Sequence, residues 1–145
     1  MTHEDAGHYA AKHPKRTTCN PKIAEAVKQK VSDGRITCAA AFKIADKLNV
    51  PPAEVGITID LLETRIIKCQ LGLFGYRPQK KIVKPAKSIS PKLEEAIKKS
   101  LVNNRISCAS AWKIADRFGI PRMDVSAACE KLKIKISSCQ LGAFR

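Results

Sequence analysis

Acidic residues are scarce in this chain: 13 Asp and Glu stand against 27 Lys and Arg, a formal net charge of +14 over 145 residues. Such a surface attracts polyanions. Histidine is confined to His3, His8 and His13. Neither Ser-His-Asp nor Cys-His catalysis can therefore be assembled from the remaining residues. The spacing of five between these histidines does not stack them on one helix face, so they are expected to be surface residues rather than metal ligands. There is no glycine-rich phosphate loop and no C-x2-C pair. No apolar run approaches the ~18 residues of a membrane span. Glu4 and Asp5 lie where a secretory leader needs a basic region followed by an apolar core. These absences lead us to expect a cytoplasmic protein with no membrane partner, no enzymatic activity, no cofactor and no metal.

What is present is a duplication. Shifting the sequence by 70 residues aligns Pro21 to Gly75 with Pro91 to Arg145 without a gap, and 23 of the 55 positions are identical. Sequence identity at a fixed period marks a repeated structural unit. The chain therefore divides into an N-terminal arm (1–20), a first repeat (21–75), a basic linker (76–90) and a second repeat (91–145). Each repeat is near the lower size limit for a self-sufficient core, so the repeats are expected to lean on each other or on a second copy of the chain, which makes a homodimer possible.

Each repeat opens with a helix signal. Asn20 and Ser90 are good N-caps, and Pro21 and Pro91 suit the first helical position, where a missing N–H costs nothing. Ile23, Ala26, Val27 and Val31 recur at helical spacing, as do Leu93, Ala96, Ile97 and Leu101. Asp33-Gly34 and Asn103-Asn104 tolerate left-handed backbone and end the helix. A short strand-like segment follows at Arg35 to Cys38 and at Arg105 to Cys108. A second helix carries Ala41, Ile44, Ala45 and Leu48 on one stripe, matched by Ala111, Ile114, Ala115 and Phe118. After Pro51 or Pro121 a third helix sets Val55, Ile59 and Leu62, or Val125, Cys129 and Leu132, inward. A strand-like piece, Arg65 to Cys69 or Lys135 to Cys139, leads into Gln-Leu-Gly-x-Phe. The expected fold class is mainly α with short β-strands.

The order helix, strand, helix, turn, helix, strand resembles tandem winged-helix domains of the helix-turn-helix type. Around the turn that family favours a small residue, then Gly or Asn four places later, then an aliphatic ten places from the first. Ala45, Asn49 and Val55 match, as do Ala115, Gly119 and Val125. The resemblance implies a nucleic-acid-binding protein, DNA more than RNA, of the transcription-regulator type. Only about eleven residues follow the third helix before Phe74 or Phe144, room for a strand or a stunted hairpin but not for a long basic wing.

The charge is uneven: the arm carries +1, the first repeat +2, the linker +5 and the second repeat +6. Arg77, Lys80, Lys81, Lys84 and Lys87 of the linker read as an extended strap for phosphates or as a solvated spacer. On the third helix the face opposite Val55 carries Ile57 and Leu61, whereas the second repeat has Ala127 and Lys131 there. Ile57 and Leu61 are thus expected to touch protein, either a partner or a neighbouring part of the same chain, and Arg122, Lys131 and Lys133 nucleic acid. Neither third helix has the Arg, Asn or Gln cluster of base readout, and Asp60, Glu63, Asp124 and Glu130 repel phosphate. An RNA- or ribosome-associated factor fits the same charge. From a different class, a protein-interaction adaptor or thiol-based sensor fits Cys38, Cys69, Cys108 and Cys139, which recur 31 residues apart within each repeat. The favoured reading of these thiols is buried, reduced and metal-free, against a redox pair or a shared zinc site.

Overall fold

The structure is a computed structural model that describes residues 9–14, 17–76 and 81–144. Its elements run α1 (Pro21–Lys30), β1 (Arg35–Thr37), α2 (Cys38–Leu48), α3 (Pro52–Leu61), β2 (Arg65–Ile67), then α4 (Pro91–Lys99), β3 (Arg105–Ser107), α5 (Cys108–Phe118), α6 (Arg122–Leu132) and β4 (Lys135–Ser137). The fold is mainly helical with short strands. The same order of elements occurs in both repeats, and a 3-10 turn, Tyr9–Lys12, precedes the first.

Local chemistry sets the boundaries. Asn20 caps α1 by accepting the Lys22 N–H at 2.9 Å, and Ser90 caps α4 by accepting that of Leu93 at 3.2 Å. After α1 and α4 the chain reverses in two residues. Ser32 and Arg35 exchange backbone hydrogen bonds of 2.9 and 3.0 Å across Asp33 (φ 55°) and Gly34 (φ 73°). Two consecutive left-handed residues make this a type I′ turn, and Asn103 (φ 53°) and Asn104 (φ 61°) repeat it. Thr37 and Ser107 cap α2 and α5 through the N–H groups of Ala40 and Ser110.

The closing strand is a strand, not a hairpin. β2 pairs parallel to β1, with Arg35 opposite Arg65 and Ile36 opposite Ile66; β4 pairs parallel to β3, with Arg105 opposite Lys135. Parallel neighbours need a crossover, and α2 with α3, or α5 with α6, provides it. A wing would require an antiparallel partner for β2 or β4, and among the described residues these strands pair only in parallel, with β1 and β3.

The core follows the periodicities. Ile23, Val27, Ile36, Val55, Ile59 and Ile66 are sealed from solvent, as are Ile97, Ile106 and Val125, and all belong to one continuous cluster shared by both repeats. The repeated Cys-Gln-Leu-Gly-x-Phe is a tight loop. Cys69 N–H bonds the Phe74 carbonyl at 3.1 Å and Cys139 N–H that of Phe144 at 3.0 Å; each loop drives its leucine, Leu71 or Leu141, into the core.

Equivalent residues of the two repeats meet each other. Phe42 packs on Trp112 with ring centroids 4.2 Å apart, and Phe74 meets Phe144 edge to face at 6.1 Å. A patch that meets its own counterpart is the signature of a two-fold contact. The seam is tight: a Cβ placed on Gly56 of α3 would lie 1.8 Å from the Leu141 carbonyl oxygen.

Candidate nucleic-acid interface and the cleft between the repeats

The third helix of each repeat carries a strap laid on by the chain that precedes that repeat. On α3 the strap is the arm. Tyr9 and Ala10 donate their backbone N–H groups to the two carboxylate oxygens of Glu63 at 2.8 and 2.9 Å. Lys12 Nζ and His13 Nε2 lie 3.1 and 2.8 Å from Oδ2 of Asp60, a carboxylate only 1% exposed. His13 is therefore packed against Asp60 as a hydrogen-bond partner, where its spacing suggested a surface residue; the arm folds against α3 because two acids there supply acceptors. His3 and His8 lie outside the described residues.

On α6 the strap is the linker. Ala86 N–H donates to the Ala127 carbonyl at 2.9 Å, Lys131 Nζ donates to the Lys87 carbonyl at 2.8 Å, and Lys81 Nζ pairs with Glu130. Glu130 is the counterpart of Asp60, 70 residues on. Of the four acids expected to repel phosphate, Asp60, Glu63 and Glu130 thus anchor the two straps. The linker is docked on α6, so the picture of a spacer held away from the protein does not apply to its described part.

The predicted site residues fall into separate groups. Lys84, Lys87, Lys131 and Lys133 are all exposed, and the Lys131–Lys87 bond brings linker and helix cations onto one face. Arg105 and Lys135, also exposed, sit opposite each other across the β3–β4 pair. Like charges directly across a strand pair repel, and no acid intervenes at that register. Beside them is a hollow of about 630 Å³ lined by Ser100, Asn103, Arg105, Ser107, Ser110 and Ser137, at the N-terminus of α5. Arg77 and Lys80 lie outside the described residues.

Arg122 does not join this face. It opens α6, whereas Lys131 and Lys133 close it, roughly 13 Å away at the rise of an α-helix. Its guanidinium lies 3.5 Å from the centroid of the Trp112 ring and donates to Gln70 Oε1. Ile57 and Leu61, expected to form an exposed protein contact, are half-buried on the helix that the arm crosses.

The cleft between the repeats is not announced by any local motif. About 510 Å³ in volume, it is lined by Phe42, Lys43, Asp46, Gln70, Trp112, Arg122 and Gln140. The clue was present: Gln70 and Gln140 belong to an identical block, and Phe42 and Trp112 are counterparts. Nothing in the local pattern says that counterparts should meet.

All six cysteines are free, and four of them, Cys38, Cys69, Cys108 and Cys129, are buried. Burial pushes the Cys38 thiol up to about 12, with the neighbouring Cys69, Cys139 and Cys108 adding to the rise and the backbone N–H at Gln70 opposing it. Burial likewise lifts Cys108 and Cys129 to about 11. Among the described residues no three of His, Cys, Asp and Glu are grouped as metal ligands, and no helix is long and apolar enough to cross a membrane.

No protein-family model, curated protein or solved structure matches the chain.

Proposed function

We propose that the chain binds nucleic acid, duplex DNA in the first place, by gripping phosphates along the face formed by the docked linker and the second repeat. The observation that carries this reading is the seating of Lys87 against Lys131 on α6. It joins two basic segments, far apart in sequence, into one cationic surface. An ammonium has three donors, so Lys131 can hold the Lys87 carbonyl and still meet a phosphate. Lys84, Lys133, Arg105 and Lys135 extend the surface, and the serine-lined hollow at the α5 N-terminus offers hydroxyls and a helix dipole to the same anions.

The linker occupies the part of α6 that a reading helix would turn into the major groove. Contacts to phosphate position a protein without reading sequence. The proposal is therefore of binding that is indifferent to base sequence.

The test is a salt titration on duplexes of unrelated sequence and on double-stranded RNA. Six cations engaged with phosphates give a slope of log affinity against log salt of about −5. Reversing charge at Lys87, Lys131 and Lys133 should flatten it and weaken binding to every duplex alike. A slope near zero, or affinity unchanged by the reversals, overturns the proposal. Tighter binding to RNA than to DNA would move the target to RNA.

A further inference from the structure

The cleft between the repeats has a chemistry of its own, distinct from the phosphate face. Its centre is a stack: Phe42 and Trp112 with centroids 4.2 Å apart and planes inclined by 39°, and the Arg122 guanidinium over the indole. A second hollow of about 550 Å³, containing Lys68, Tyr76 and Met123, shares Gln70 and Arg122 with the first. The two form one groove with the Gln70–Arg122 hydrogen bond at its waist. Its walls hold aromatic rings and cations, with the carboxylates of Asp46 and Asp116 among them.

Hydrogen-bonding capacity around the stack is poorly used by the protein. The Trp112 indole N–H is buried without a partner. The Gln140 amide donates to the Cys108 sulfur at 3.7 Å, a weak acceptor. Lys43 and Asp46 stand exposed at the rim. A volume near 500 Å³ is that of a small-molecule site.

We propose that this groove takes an unpaired nucleobase with its attached phosphate, either a free nucleotide or a base of a single strand. The base stacks on the ring of Phe42, whose other face is backed by Trp112; Gln140 and Asp46 meet its polar edge, and Lys43 and Arg122 face the phosphate. Stacking on aromatic side chains combined with cations along a groove is how single strands are held without regard to sequence. The site is separate from the duplex face and stands or falls independently of it.

Trp112 is the only tryptophan in the chain, so its fluorescence reports the site directly. The full-length chain is titrated with AMP, with a short oligodeoxyadenylate and with an abasic strand of the same length. Saturable quenching by AMP and by oligodeoxyadenylate, with none from the abasic strand, is the expected result. Quenching by the oligonucleotide without AMP assigns the base to a polymer. No quenching by either, or equal quenching by the abasic strand, overturns the proposal even if duplex DNA binds. Phe42→Leu keeps the apolar volume and removes the ring face; it should weaken nucleotide binding about tenfold and leave the salt slope on duplex DNA unchanged. Lys43→Ala, at an exposed position, should weaken it severalfold with the melting temperature unaltered. Unchanged nucleotide affinity in both variants overturns the proposal.

Discussion

Nε2 of His13 lies 2.8 Å from Oδ2 of Asp60, 47 residues further along the chain, and fastens the arm to a carboxylate that is 1% exposed. Lys81 and Glu130 make the matching contact in the second repeat, but there the side chains are 45% and 30% exposed. The same tie between strap and third helix is thus buried in one repeat and wet in the other.

Burial decides the energetic difference between these ties. Asp60→Asn, which removes the charge and keeps the shape, should lower stability by about 1.5–3 kcal/mol, the range for hydrogen bonds to charged groups. Glu130→Gln should cost less than about 1 kcal/mol, as exposed ion pairs do. Denaturant unfolding of both variants measures this, and equal losses would contradict the argument.

The thiols should sort by burial. A thiol raised to about 12, as at Cys38, or to about 11, as at Cys108 and Cys129, is almost wholly protonated at pH 8, and only the thiolate reacts. Alkylation of the native protein at pH 8 should therefore modify the half-exposed Cys19 and Cys139 first and the buried Cys38, Cys108 and Cys129 far more slowly. Mass mapping of the modified sites would check the order; fast labelling of Cys38 would contradict it.

Gly56 should be the least replaceable glycine in the seam. An added Cβ meets the Leu141 carbonyl oxygen at 1.8 Å and its carbon at 2.7 Å, both backbone atoms with no rotamer to give way. Gly56→Ala should cost about 3 kcal/mol or more, at the upper end of overpacking. Gly34→Ala, where nothing lies within 4 Å of the new carbon and φ is 73°, should cost only about 1 kcal/mol. Thermal unfolding of the two variants gives the comparison.

Ile57→Lys combined with Leu61→Lys should loosen the arm and lower stability by about 1–3 kcal/mol, since half-burial of an aliphatic side chain contributes roughly half its full transfer value. Affinity for duplex DNA should stay equal or rise. Limited proteolysis within residues 9–14 would report the loosening; loss of DNA binding with an intact arm would reverse the roles given to the two repeats.

Much of the local structure was legible in the sequence. Asn20-Pro21 and Ser90-Pro91 start α1 and α4 because their chemistry satisfies a helix N-terminus wherever it occurs, and Asp33-Gly34 marks a reversal for an equally local reason. Val55 and Val125 face inward as the helical period requires. The parallel pairing of β1 with β2 was not legible, since three residues carry too little alternation to name a partner. The docking of the arm depends on His13 finding Asp60 from far along the chain, and the cleft depends on Phe42 finding Trp112. Neither meeting leaves a trace in any local window. The linker lysines were legible as charge, but their seat on α6 depends on backbone carbonyls, that of Ala127 accepting from Ala86 N–H and that of Lys87 accepting from Lys131 Nζ, and side-chain identity does not encode where those acceptors lie.

The meeting of Phe42 with Trp112 has a consequence for evolvability. In a dimer of identical chains every substitution at a two-fold seam appears twice, so a cation introduced against the aromatic pair would arrive with a like-charged twin. Joining the halves in one chain lifts that constraint. Arg122 stands on one side of the stack, and its counterpart on the other is Pro52. The stack consequently has a guanidinium on one side and a proline ring on the other, an asymmetry that a seam between two identical chains could not have had.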